Sequence, residues 1–370
     1  MASMGEAGPP FRAEHIGSLL RPPELRRAFR LLGAGRMSPK DFCEVQDGCV
    51  REVISLQEAL GLPCVTDGEF RRTSYWSHLV EAVDGLGVGP ARFKFRDDEG
   101  NQTEFLAPHI QSRVSRARSY SSDEAGFLLS AARRSAKLTM PSPSTMQFWD
   151  NQQFIRDGVY RDKDAYFEDL VRIYRDEIAD LTALGVRYIQ LDEVPLAMLC
   201  DASIRRTVEE NGEDPGELVG KYIGLLNACL RGRGRGVIAG IHLCRGNFKG
   251  LWLTEGGYGQ VAERMFNEVD ADVFLLEYDT PRAGGFAPLS YVPGHKRVVL
   301  GLVSTKVLQM ETVDGLRRRI DEAARYIPLD RLGISPQCGF ASAVTGNPIT
   351  SDDQAAKLRL VVETAELVWK

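Results

Sequence analysis

The sequence has no run of about 18 apolar residues, so nothing in it is expected to span a membrane. It also has no excess of positive charge: 46 lysines and arginines face 51 acidic residues, a net charge of −5. Nucleic acid and anionic membrane surfaces are therefore not expected as main partners. The one basic knot, Arg231, Arg233 and Arg235 interleaved with glycines, reads as a solvated turn before a strand. Residues 1–10 lack a basic start and an apolar stretch, so no secretory signal is expected there and the stretch reads as a flexible tail. The motifs GxxxxGK[ST], HExxH and GxSxG are missing. The Gly-rich stretch GRGRGVIAG precedes a strand instead of following one, which fails the dinucleotide pattern. The cysteines number seven and are scattered; an odd count without a signal reads as reduced thiols in a cytoplasmic protein. Cys43, Cys49, Cys64, Cys200 and Cys229 are expected to be small buried hydrophobes.

What is present is an alternation. With 43% hydrophobic residues the chain can build a full core. Short apolar runs end near Ser18, Glu69, Pro141, Asp192, Cys244, Asp279, Ser304 and Cys338, and helical patterns fall between them. Ser38-Pro39 supplies a cap and a first-turn proline for a helix running toward Leu60. Further helices are expected over about Lys163–Leu184, Ser203–Leu230, Tyr258–Asn267, Val313–Tyr326 and Asp352–Val368. Runs such as VFLL and VVLGLV suit strands buried on both faces. Eight such strands, mostly followed by helices, predict an α/β fold, a (β/α)8 TIM barrel, as one domain over 1–370. Residues 90–136, charged and without clear period, read as an insertion after the second βα unit.

In such a barrel the chemistry lies at the C-terminal strand ends. His242 and Cys244 in GIHLCRGN stand at i and i+2, on one side of a strand end. Glu277 in VFLLEYD and Cys338 in GISPQCGF end neighbouring runs. An imidazole and two thiolates form a zinc-type ligand set that a carboxylate completes. Two thiolates and one carboxylate leave a divalent ion with a net negative charge. That suits holding a thiol as thiolate better than activating water, with Glu277 the ligand most easily displaced.

Other strand ends add an acidic pocket. TDGEF offers Asp67 and Glu69, and QLDE offers Asp192 and Glu193; carboxylates beside a ligand site bind an ammonium group, or they cap helices and pair with Arg71 and Arg72. Ile16, Gly17 and Ser18 close the first strand, where free N–H groups and a hydroxyl can hold a carboxylate. Trp149 offers a flat ring for stacking, or serves as core.

IGS, DGE, P-x-T-x-x-x-W, QxDE, HxCxGN, a strand-end Glu and a late Cys, in that order, resemble the catalytic barrel of cobalamin-independent methionine synthase, and most closely its short single-barrel members. The resemblance runs from about Phe11 to the C-terminus. It implies a methionine-synthase/uroporphyrinogen-decarboxylase-like barrel with zinc on His242, Cys244, Glu277 and Cys338. It also implies that Ile16 to Ser18, Glu69 and Asp192 hold an amino-acid thiol such as homocysteine, with Glu69 and Asp192 as catalytic residues. Trp149 matches the tryptophan that meets the folate, and the implied reaction moves a methyl group from an N5-methyl folate to the thiolate. The chain departs from the pattern in having one barrel where full-length members have two. Met198 and Val303 stand where the family has an acidic residue and an active-site histidine.

The leading expectation is a zinc-dependent thiol S-methyltransferase with a small-molecule thiol and a methyl donor as partners. The alternatives are a zinc-dependent alkyltransferase acting on another electrophile, as in epoxide opening by coenzyme M, and a non-catalytic zinc-binding thiol sensor. A sulfonate thiol wants a cation in place of the acidic pair, and Arg71, Arg72 and Lys306 are the residues that could supply it.

Overall fold

The computed structural model describes residues 11–150 and 152–370. The expected tail, residues 1–10, lies outside them. Strands β1 (Cys64–Val65), β6 (Ser135–Pro141), β7 (Tyr188–Glu193), β8 (Ile238–Leu243), β9 (Val273–Glu277), β10 (Arg297–Val303) and β11 (Leu332–Pro336) form one curled sheet in that order. Every neighbouring pair is parallel. β7, β9 and β11 are buried along their whole length, as strands covered on both faces must be.

The first barrel position is filled, but not by a laddered strand. Residues 12–18 run beside β11, with the Glu14 amide donating to the Ile334 carbonyl and the Ile334 amide to the Arg12 carbonyl. On the other side, side chains take the carbonyls that a strand would accept with. Lys137 Nζ donates to the His15 carbonyl, Gln190 Nε2 to Ile16 at 2.6 Å and Thr66 Oγ1 to Gly17 at 2.7 Å. The cylinder therefore has seven laddered strands and one sealed seam.

The expected helices are present, among them one that Ser38 caps by accepting from the Asp41 amide, over Pro39–Ala59, and an unexpected helix over Pro23–Gly33 precedes it. The stretch expected as one helix over 203–230 is two, Ala202–Glu210 and Pro215–Leu230. Gly212 turns the chain at φ +80°, and Asp214 caps the second helix at its proline. Cys43 is exposed, against the expectation that it is buried. It neighbours Phe42 on the 39–59 helix, whose inward stripe is Phe42, Gln46, Cys49, Val50 and Val53, and one residue's rotation turns it to solvent. In the turn before β8, Arg231 and Arg235 are exposed, as expected for the basic knot, while Arg233 is partly covered and pairs with Asp270 and Asp272.

The insertion is a long antiparallel hairpin, β2 (Val83–Pro90) with β5 (Leu106–Arg116), tipped by a smaller one, β3 (Phe95–Arg96) with β4 (Gln102–Thr103). It starts at Val83, ahead of the 90–136 stretch, and is followed by a barrel helix over Ser122–Ala131. The tip folds over the barrel mouth: Arg96 exchanges both backbone hydrogen bonds with Trp252, on the loop after β8.

Candidate metal centre

β8, β9 and the turn after β11 bring His242, Cys244, Glu277 and Cys338 together, with one donor atom from each all within 4.8 Å of one another. The two thiol sulfurs are 3.5 Å apart. A tetrahedral zinc with Zn–S bonds of about 2.3 Å would put them about 3.8 Å apart. His242 Nδ1 meets the Leu275 carbonyl at 3.2 Å, which fixes the proton there and leaves a lone pair on Nε2. That Nε2 is buried with no partner, an orphan that an electrophile in the cluster would satisfy. Glu277 Oε1 accepts from the Arg245 amide at 2.7 Å, and Oε2 is 4.0 Å from Lys306 Nζ. The donor set and its spacing fit a divalent metal of the zinc type.

Burial is the main influence on the Glu277 and His242 charges. It pushes the Glu277 carboxyl up to about 7, with Lys306 pulling the other way. It pushes His242 down to about 3, so the imidazole is neutral and ready to ligate. The Cys244 thiol is raised by its hydrogen bond with Cys338 and then by burial. A cation in the cluster reverses the Glu277 and Cys244 shifts, because it rewards the ionised forms.

The cluster opens into a cavity of about 370 Å³ that is also lined by Ile16, Ser18, Glu69, Trp149 and Asp192. Asp192 is held by Gln190 Nε2 at 2.8 Å, and burial followed by the Glu69 charge pushes its carboxyl up to about 8. Glu69 sits in the left-handed region at φ 58°, a strained position for a side chain, pinned by Arg21 donating to its carbonyl at 2.7 Å. Its Oε1 accepts from Thr139 Oγ1 at 2.7 Å, and its buried Oε2 has no partner. Gly17 has φ +143°, and a Cβ there would lie 2.6 Å from Thr139 Cγ2 and 3.2 Å from Glu69 Oε1. Only glycine lets the first segment pass this close to the acidic pair.

The remaining acids turn to structure. Asp67 Oδ1 accepts from the Glu69 amide at 2.9 Å, and Glu193 Oε1 from the Leu196 amide at 2.9 Å, while Ser144 donates to the other Glu193 oxygen. Arg72 is spent on Glu124, at 2.7 Å, and on the Thr139 carbonyl, and it also ion-pairs with Glu69 Oε1 at 3.7 Å. Arg71 pairs with Asp47 and packs on Phe127. Neither arginine lines the cavity. Met198 and Val303 are fully buried and stand outside the lining as well.

Sequence reasoning missed the aromatic wall. Phe95 and Phe105 come from the hairpin tip, Phe248 from the loop after β8, and Tyr75 and Trp76 from the turn beyond β1. Trp149 is 2% exposed and meets Phe105 edge to face at 5.4 Å. No period marks such loop residues; the only signal was the phenylalanine pair, Phe95 and Phe105, bracketing the charged stretch 96–104 inside the insertion.

The model of the cobalamin-independent synthase catalytic domain matches residues 11–366. The chain belongs to that family. It is 35% identical over 368 residues to "Uncharacterized protein YxjH" of Bacillus subtilis (strain 168), covering 98% of this chain and 95% of that protein. The methionine synthase of Saccharolobus solfataricus is 26% identical over 330 residues, covering 88% of this chain and 86% of the relative. Among solved structures, the putative vitamin-B12 independent methionine synthase of Listeria monocytogenes superposes with a TM-score of 0.76 at 26% identity, covering 98% of this chain and 99% of that one. This family member is thus an enzyme, a transferase of the methionine-synthase-like methyltransferases, on a TIM-type barrel. No helix among the described residues is long and apolar enough to cross a membrane.

Proposed function

We propose that the enzyme is a zinc-dependent thiol S-methyltransferase whose acceptor is an amino-acid thiol of the homocysteine type. The observation that carries this reading is that three of the four clustered donors, His242, Cys244 and Cys338, line one cavity with the acidic pair Glu69 and Asp192. Bound zinc would supply the positive charge that keeps a thiol ionised at neutral pH. The chain's own residues do the rest. Glu69 and Asp192 face the substrate ammonium, and the Ile16–Ser18 turn faces its carboxylate. The aromatic wall with Trp149 flanks the methyl donor, an N5-methyl folate or another methyl compound. The methyl group passes from donor to sulfur, the donor bond's electron pair leaving with the donor. The Met198 and Val303 side chains carry no titratable group, so these positions supply no proton to a departing folate nitrogen. Arg71 pairs with Asp47 and Arg72 with Glu124 and Glu69, and neither they nor Lys306 line the cavity, so it favours an ammonium over a sulfonate, and the amino-acid thiol over coenzyme M.

Metal analysis of the purified protein should give one zinc per chain. Incubation with homocysteine and CD3-labelled methyl donors should give labelled methionine by mass spectrometry. Full zinc loading with no labelled thioether from any thiol and donor pair would refute the transferase reading.

A further inference from the structure

Lys306 is 7% exposed, yet its Nζ meets one hydrogen-bond acceptor, the Gly246 carbonyl at 2.9 Å. An ammonium carries three donors, so this buried cation has capacity to spare. Its nearest carboxylate oxygen is Glu277 Oε2, at 4.0 Å, close enough for charge attraction and too far for a hydrogen bond. The lysine is held in place from below. The Thr305 amide donates to Gln337 Oε1 at 2.7 Å, Thr305 Oγ1 to the Gly339 carbonyl at 3.0 Å, and Asn347 Nδ2 to the Thr305 carbonyl at 2.9 Å. The other Glu277 oxygen is fixed by the Arg245 amide. Glu277 can therefore pivot about Oε1 while Oε2 swings between the ligand cluster and the lysine.

We propose that Lys306 is the acceptor for the Glu277 carboxylate when a substrate thiol takes its place among the ligands. The inference rests on the thiol-transferase reading. A buried carboxylate released without a partner is strongly disfavoured, so a displaceable carboxylate ligand needs a second cation within a side chain's swing. Lys306 is a positioning residue: it acts through Glu277 and needs no contact with substrate. No bond is made or broken in this step other than the exchange of one ligand carboxylate for one thiolate, whose proton goes to solvent.

The test uses the zinc-loaded full chain. In the unaltered enzyme, homocysteine should raise the sulfur count around zinc from two to three by X-ray absorption; no rise there sinks the transferase reading itself. In Lys306→Met the zinc content should hold, while homocysteine binding weakens roughly tenfold or more and the sulfur count stays at two. Lys306→Arg should restore both. In a Glu277→Ala background, where no carboxylate needs housing, adding Lys306→Met should change homocysteine affinity less than about twofold. Unaltered enzyme that gains sulfur together with a Lys306→Met variant that gains it equally would overturn the inference and leave the transferase reading standing. So would an equal loss of affinity in the two backgrounds, or zinc loss from Lys306→Met that Lys306→Arg repairs.

Discussion

Asp192 shows how one carboxyl can be costly to the fold and useful to the site. The native chain holds its proton to about 8, whereas an unfolded Asp releases it near about 3.9. Between these values the native state binds the extra proton, so the acidic pair loses stability for the fold as pH rises through that window. Zinc-free enzyme should thus show a urea midpoint that falls from pH 5 to pH 8, and Asp192→Asn should flatten that part of the fall by removing the titrating group. A substrate ammonium favours the ionised carboxylate. Homocysteine should bind more tightly as pH rises toward 8, with proton release seen by calorimetry in buffers of different ionisation enthalpy, and Asp192→Asn should raise KM at least about tenfold. At this scale the convergence of His242, Cys244, Glu277 and Cys338 was legible because each ends an apolar run. The division of labour among four acids was not: whether Glu193 meets Leu196 or the cavity depends on a half-turn after β7 that no residue type announces. Cys43 failed for a similar reason, one step of rotation on a helix.

The strands were legible where they lie inside the sheet, because double-sided burial leaves an apolar run that nothing else explains. The first was half legible. Its pattern is that of a strand, but Lys137, Gln190 and Thr66 reach across from its neighbours and take its carbonyls, and such long-range side-chain bonds leave no local trace. The hairpin over the mouth was visible only as a charged, aperiodic stretch. Its tip brings Phe95 and Phe105 to the cavity while the metal ligands come from the barrel below. Replacing residues 92–104 with a short glycine-containing turn should therefore separate the two halves of the reaction. Zinc content and homocysteine affinity should stay within about twofold, while kcat with a methyl donor falls at least about a hundredfold, because the reacting centres lose their alignment. Equal loss of homocysteine binding would place the hairpin in the acceptor site instead.

For the whole molecule, the four clustered donors come from β8, β9 and the turn after β11, so a metal held by them would fasten the later part of the cylinder to itself. A ligand that binds only the native state stabilises it by about 2.7 kcal/mol at a hundredfold excess over Kd. Stripping zinc with a chelator should lower Tm by several degrees, and returning it should restore the value in a concentration-dependent way. A Tm unmoved by zinc would mean that the cluster does not bind it. The acidic face meets this closure from the other side. Residues 12–18 carry the Gly17–Ser18 turn along one bank of the joint with β11, and Cys338 lies on the other, just before Phe340, whose amide donates to the Ser18 carbonyl at 2.9 Å. With an amino acid seated as proposed, its carboxylate would touch the first bank and its sulfur would share a centre with Cys338 on the second. The substrate would then be a stitch across the joint between the first segment and the last strand, which a short backbone pairing holds. Loading the site and shutting the barrel would be a single event, and product release would begin by loosening the joint on which the enzyme's own closure depends.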